Sequence, residues 1–122
     1  MKNKKIMIIG GTGALGVSLT NRWCDGNEIL ILSRNEHKQE NMKRQFPKAI
    51  YRIGDVKDKE SILRNMYEFK PDVIVNTAAL KTVWVAQDNP YETILTNIVG
   101  HQYLIDCVRE CRHQIETLMF IS

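Results

Sequence analysis

The chain has 122 residues, 43% apolar and 25% charged, with a formal net charge of +3. That is the composition of an ordinary globular protein, sized for one domain with a sufficient core. Its basic residues are scattered and not interleaved with aromatics, which argues against a nucleic-acid partner. No apolar run reaches the length of a signal-peptide core or a membrane span, so the expectation is a cytoplasmic protein without a membrane partner.

The first predicted strand is the apolar run 6–9, placed behind a solvated Lys-Asn-Lys-Lys start. Four consecutive apolar residues suit a parallel strand covered on both faces. It breaks into Gly10-Gly11-Thr12-Gly13-Ala14-Leu15-Gly16 and then a helix whose Leu15, Leu19 and Trp23 form one stripe, with Gly26 able to end it. Strand, glycine turn and helix in that order describe a dinucleotide phosphate site. Gly10 allows the tight turn, Gly13 lets backbone N–H groups approach a pyrophosphate, and Gly16 lets the helix pack closely on the strand. The helix N-terminus faces the anion with unpaired donors. No Lys-Ser or Lys-Thr follows the glycines, which excludes a P-loop.

Residues 28–33 form the second predicted strand, and Asn35 caps a polar helix whose buried side is little more than Met42 and Phe46, stopped by Pro47. A short third strand spans 49–53. Asp58 then caps a helix carrying Ile62, Leu63, Met66 and Tyr67, closed by Pro71. Residues 73–77 give the fourth strand. A loop leads to Asn89-Pro90, an N-cap followed by the favoured first-turn proline, and a long helix presents Ile94, Leu95, Ile98, Val99, Leu104, Ile105 and Val108. The fifth strand spans 117–122.

Alternating strands and helices with right-handed crossovers predict an α/β, Rossmann-type three-layer sandwich with a parallel sheet of order 3-2-1-4-5. Ligands in such sheets sit at the carboxyl ends beside the switch between strands one and four, where the glycine turn and the 76–81 segment emerge. The end of strand two reads Ser33-Arg34-Asn35. With no carboxylate there to hold a ribose 2′-OH, and with Arg34 and Lys38 at hand, NADP is favoured over NAD. Asp55 and Val56 can hydrogen-bond and flank an adenine; the plain alternative is a turn aspartate before a helix. Ala78 and Ala79 let backbone approach the ribose and nicotinamide half, beside Thr77, while Lys81 places a cation at the mouth or is simply solvated. Asn97, beside Thr96 among apolar neighbours, needs a partner if buried and can hold the strand-four loop.

Cys24, Cys107 and Cys111 are odd in number without paired spacing and read as reduced thiols. Cys107 and Cys111 stand one helical turn apart, but neither His101 nor His113 completes a recognised ligand set, so no metal is expected. His37 likewise reads as an ordinary surface residue.

The glycine spacing G-x-x-G-x-x-G is that of extended short-chain dehydrogenase/reductases. Further motifs follow in one order: Ser33-Arg34-x-Glu36-x-Lys38-Gln39, Ile53-Gly54-Asp55-Val56-x-Asp58, Ala78-Ala79-Leu80-Lys81-x-Val83, and Asn89-Pro90-x-Glu92-x-Ile94-x-Thr96-Asn97-Ile98-x-Gly100. Together they resemble the UDP-N-acetylglucosamine 4,6-dehydratases of polysaccharide and flagellin-sugar biosynthesis, over nearly the whole chain. The resemblance implies NADP contacts from Thr12, Gly13, Ala14, Leu15 and Gly16, from residues 34–39, and from Asp55, Val56, Thr77, Lys81, Thr96 and Asn97. It implies a lyase reaction on a UDP-sugar: hydride leaves C4 of the sugar, water is lost across C5 and C6, and the hydride returns to C6. Family members carry Asp at the position of Asn35, Ala at that of Thr77, and His-Val-Pro in place of Thr82-Val83-Trp84.

Past the residue matching Ser122 the family continues with Thr-Asp-Lys and a Tyr-x-x-x-Lys pair. The expectation is therefore an incomplete Rossmann domain over 1–122, truncated after strand five, with no catalytic residue and no sugar-nucleotide domain, inactive alone. Alternatives are a non-catalytic NADP-binding or sensor module, and a fragment of an extended-type epimerase or reductase. Strands four and five are expected to expose apolar area on the first-helix side and so to drive homo-oligomerisation.

Overall fold

The computed structural model describes residues 1–78, 100–111 and 115–120. Along the chain come β1 (Lys5–Ile9), α1 (Ala14–Trp23), β2 (Glu28–Ser33), α2 (Glu36–Gln45), β3 (Ile50–Ile53), α3 (Lys59–Phe69), β4 (Val73–Asn76), α4 (Gly100–Glu110) and β5 (Thr117–Phe120). The strands form one parallel sheet in the order β3-β2-β1-β4-β5, as the alternation predicts.

The apolar runs are buried on both faces because the side chains of each strand alternate between two helix layers. Ile6, Ile8, Ile29, Ile31, Val73 and Val75 meet Met42 and Phe46 at the end of α2, with Val17, Leu19 and Trp23 of α1 packed against them. Met7, Ile9, Leu30, Leu32 and Ile74 face the other way, onto Ile62, Met66 and Phe69 of α3 and Leu104 and Cys107 of α4. Each such side chain contributes roughly 1.5–3 kcal/mol on burial.

The helix starts follow the sequence. Asn35 Oδ1 accepts from Lys38 N at 3.0 Å, and Asp58 Oδ1 accepts from Ser61 N at 3.2 Å. α1 ends at Trp23, before Gly26, and Gly26 takes its positive φ in the turn into β2 instead. α3 closes through a left-handed Lys70, whose N–H donates to Met66 O, one residue before Pro71.

On α3, Tyr67 is 44% exposed, because it lies off the Ile62–Met66–Phe69 stripe; its hydroxyl donates to Glu110 O at 3.2 Å. Three expectations need correction. β3 begins at Ile50 and is an edge strand with Ile50 and Ile53 largely in solvent. β4 ends at Asn76, although Thr77 N still donates to Ile9 O at 2.8 Å. The exposed apolar surface expected on β4 is absent: Val73, Ile74 and Val75 are fully buried, since β4 is an interior strand flanked by β1 and β5 and reached from both cores. On β5, Leu118 and Met119 are half-buried and pack against the two cores. The first half of the long helix and the last residues of the fifth predicted strand lie outside the described residues.

Candidate functional site

A cleft of about 750 Å³ opens at the carboxyl ends of β1, β2, β3 and β4, on the switch-point side of the sheet. Its floor is made by Ile9 and Gly10 after β1, Leu32 and Ser33 at the end of β2, and Gly54, Asp55 and Val56 after β3. Thr12 and Gly13 close one side with Thr77 and Ala78, while Arg34, Asn35, Glu36 and Lys38 at the start of α2 close the other. The fold thus brings together eleven of the residues singled out by sequence: Gly10, Thr12, Gly13, Ser33, Arg34, Asn35, Lys38, Asp55, Val56, Thr77 and Ala78.

Other singled-out residues stand elsewhere. Ala14, Leu15 and Gly16 form the first turn of α1 and are not among the side chains that line the cleft. Gly16 packs on the backbone of Gly11, so its missing Cβ lets the first turn of α1 lie against the glycine turn that follows β1. Gln39 is buried and turned away from the cleft: its Nε2 donates to Ser33 Oγ at 2.8 Å and to Arg52 O at 2.7 Å. It clamps α2 to β2 and β3, and thereby fixes where Arg34 and Lys38 emerge. Ala79, Lys81, Thr96 and Asn97 lie outside the described residues, as do residues 82–84.

Two departures from the resembled family have visible uses. Asn35 caps α2 as an aspartate would, but without a negative charge at the cleft. The Thr77 hydroxyl lies 2.8 Å from Ile9 O and 3.0 Å from Gly10 O, tying the end of β4 to the glycine turn.

The charges at the α2 side are coupled through Asp55. Its Oδ2 is 3.7 Å from Arg34 Nη1 and 3.7 Å from Lys57 Nζ. The end of β2 carries no carboxylate of its own, but the fold delivers one from the end of β3, and Glu36 adds a second to the lining. Neither Ile9, Leu32 nor Gly54 carries a chemical group that would single it out. Gly54 is legible in hindsight as a glycine directly after a strand, where a Cβ would come within 2.6 Å of Leu32 Cδ1.

The turn itself fits a phosphate group. Gly13 has φ −74° and ψ 173°, a conformation open to any residue, and a Cβ there would meet only Gly10 O at 3.7 Å. Neither backbone nor packing demands glycine at this position, so what its bare Cα leaves is room above the start of α1. No side chain caps that helix, and its first-turn N–H groups are available to an anion. Nearby, buried Asn76 uses Oδ1 to accept from Ala78 N at 2.9 Å, while its Nδ2 has no acceptor among the described residues.

Among the described residues, nucleophilic and metal chemistry have little to draw on. Cys107 is buried, and desolvation pushes its thiol up to about 11. Among the described residues no three His, Cys, Asp or Glu side chains converge on a metal position, and no helix is long and apolar enough to cross a membrane.

Three similarities bear on this site. The chain is 43% identical over 116 residues to a UDP-N-acetylglucosamine 4,6-dehydratase (inverting) of Campylobacter jejuni, covering 90% of this chain and 34% of that protein. The structure of Pen from Bacillus thuringiensis superposes with a TM-score of 0.87 at 30% identity, over 98% of this chain and 37% of that one. The UDP-glucose 4-epimerase of Thermus thermophilus, solved in complex with NAD, gives a TM-score of 0.75 at 25% identity, over 87% of this chain and 34% of that one. The chain therefore spans about a third of the length of the relatives it matches. Residues 6–122 match the Polysaccharide biosynthesis protein family, and the chain belongs to that family.

Proposed function

We propose that the chain is the NADP-binding part of a nucleotide-sugar 4,6-dehydratase acting on UDP-N-acetylglucosamine. The observation that carries this reading is the cleft itself, where an uncapped helix start above Gly13 faces a second helix start bearing Arg34 and Lys38. The first suits a pyrophosphate, the second a ribose 2′-phosphate. Support for a nicotinamide dinucleotide comes from the NAD bound by the Thermus thermophilus epimerase, and support for the substrate from the Campylobacter jejuni dehydratase.

When bound, the nicotinamide would supply the reversible hydride acceptance that a 4,6-dehydration needs. The residues of this chain bind and orient. Backbone N–H groups around Thr12, Gly13 and Ala14 hold the pyrophosphate, with Leu15 and Gly16 setting the helix close to the turn. Asp55 and Val56 receive the adenine, while Thr77 and Ala78 flank the nicotinamide half. Ala79, Lys81, Thr96 and Asn97, which lie outside the described residues, are assigned to the same dinucleotide from the sequence alone. The 122 residues contain no Tyr-x-x-x-Lys pair, and no residue of this chain is assigned a proton transfer.

Fluorescence titration with NADPH and with NADH tests the reading. Tighter NADPH binding is expected, and Arg34→Ala should weaken NADPH by about 1.5–3 kcal/mol, the worth of a hydrogen bond to a charged group, with little effect on NADH. Equal affinities in the parent protein would remove Arg34 as discriminator.

A further inference from the structure

We propose that the Asp55 carboxylate is a specificity-determining counter-charge, which lowers the preference of the cleft for a 2′-phosphorylated dinucleotide by sharing the Arg34 guanidinium. The inference rests on the reading of Arg34 as the group that meets the 2′-phosphate. It adds a residue that works against that preference.

The strand ends fix the pair. Ser33 and Ile53 are register partners in the β2–β3 ladder, and Gly54 N donates to Ser33 O at 2.9 Å, so Arg34 and Asp55 leave the sheet side by side. Asp55 is the anchored member. Its Oδ1 accepts from Lys57 N at 3.0 Å and its carbonyl accepts from Asp58 N at 2.9 Å, a turn that leads into α3. This turn presents Oδ2 toward Arg34 and Lys57, each at 3.7 Å. The Arg34 side chain is 56% exposed against 26% for Asp55, so arginine is the partner that can re-aim.

At 3.7 Å the contact is an ion pair longer than a hydrogen bond, of the weak, partly solvated kind. A phosphate with nearly two negative charges and three acceptor oxygens competes well for such a guanidinium, which can engage it in bidentate fashion. Asp55 remains in place while it does so. Each 2′-phosphate bound at Arg34 therefore gives up part of the Arg34–Asp55 ion pair, whereas a 2′-hydroxyl leaves that pair intact.

The test is the ratio of NADPH to NADH affinity in Asp55→Asn. Asparagine retains an Oδ1 for the Lys57 N–H, so the turn stays closed, and circular dichroism checks the fold. Any adenine contact of residue 55 is common to both dinucleotides and cancels in the ratio. The ratio should rise in favour of NADPH by about three- to tenfold at low ionic strength, and the gain should shrink in high salt. In an Arg34→Ala background the same substitution should leave the ratio nearly unchanged.

An unchanged or lowered ratio in Asp55→Asn, with Arg34→Ala still losing NADPH, overturns the inference while leaving the discriminator role of Arg34 intact. The same rise in both backgrounds also overturns it, since Asp55 would then act on the phosphate without Arg34. If the parent protein shows no NADPH preference and Arg34→Ala changes nothing, the underlying reading fails instead.

Discussion

Gly10 lies so close to Ala78 that a Cβ on Gly10 would stand 2.9 Å from both the Cα and the N of that alanine. The turn after β1 and the segment after β4 thus touch backbone to backbone at the switch point, and Gly10 also holds φ at +76°. Gly10→Ala meets both obstacles at once. It should destabilise the fold by on the order of 2 kcal/mol or more, because a left-handed alanine alone costs about 1–2 kcal/mol before any displacement of Ala78. A urea melt reads this as a lower midpoint at unchanged slope. A midpoint equal to that of the parent would mean the two segments separate freely.

Gly13→Val separates binding from folding. The backbone at Gly13 is ordinary and the space beside it open, so the fold should survive, as seen in an unchanged circular dichroism spectrum and melting curve. The branched side chain should then occupy the volume assigned to the pyrophosphate and weaken dinucleotide binding by roughly tenfold or more, a loss of at least about 1.4 kcal/mol. Parent-like binding in a folded Gly13→Val would show that the phosphate lies elsewhere.

The strand order is legible in the sequence because β1, β2 and β4 are apolar runs, buried on both faces and separated by helix caps that behave as their residue types suggest. The glycine turn is legible for a similar reason: Gly10 needs its positive φ, and that demand is local. What escapes the sequence is non-local. Nothing near Arg34 announces that Asp55 will stand beside it, and nothing near Gln39 shows that its amide will bind Ser33 and Arg52 rather than face a ligand. The spacing of Tyr67 from Leu63 fits a helical stripe, yet the sheet accepts only the face bearing Ile62, Met66 and Phe69.

Cysteine chemistry should follow burial. Cys24 is exposed and Cys107 is buried with its thiol raised from 9.0 to about 11. At pH 8, iodoacetamide should modify Cys24 well before Cys107, as mapped by mass spectrometry of the native protein. Because the folded state holds the Cys107 proton up to about 11 while the unfolded thiol releases it near 9.0, this group costs stability as pH rises between those values. Cys107→Ser should flatten that part of the stability profile. Equal modification rates at pH 8 would mean that α4 opens readily.

Backbone amide chemical-shift mapping with NADP⁺ tests, residue by residue, whether a dinucleotide binds along the carboxyl ends of the sheet, from the glycine turn to the start of α2. The expected result is saturable shifts at Gly13, Ala14, Arg34, Lys38, Asp55 and Thr77, with Lys4, Gly26 and Lys70 at the opposite end of the sheet unmoved. Shifts confined to that opposite end, or none at millimolar NADP⁺, would contradict it.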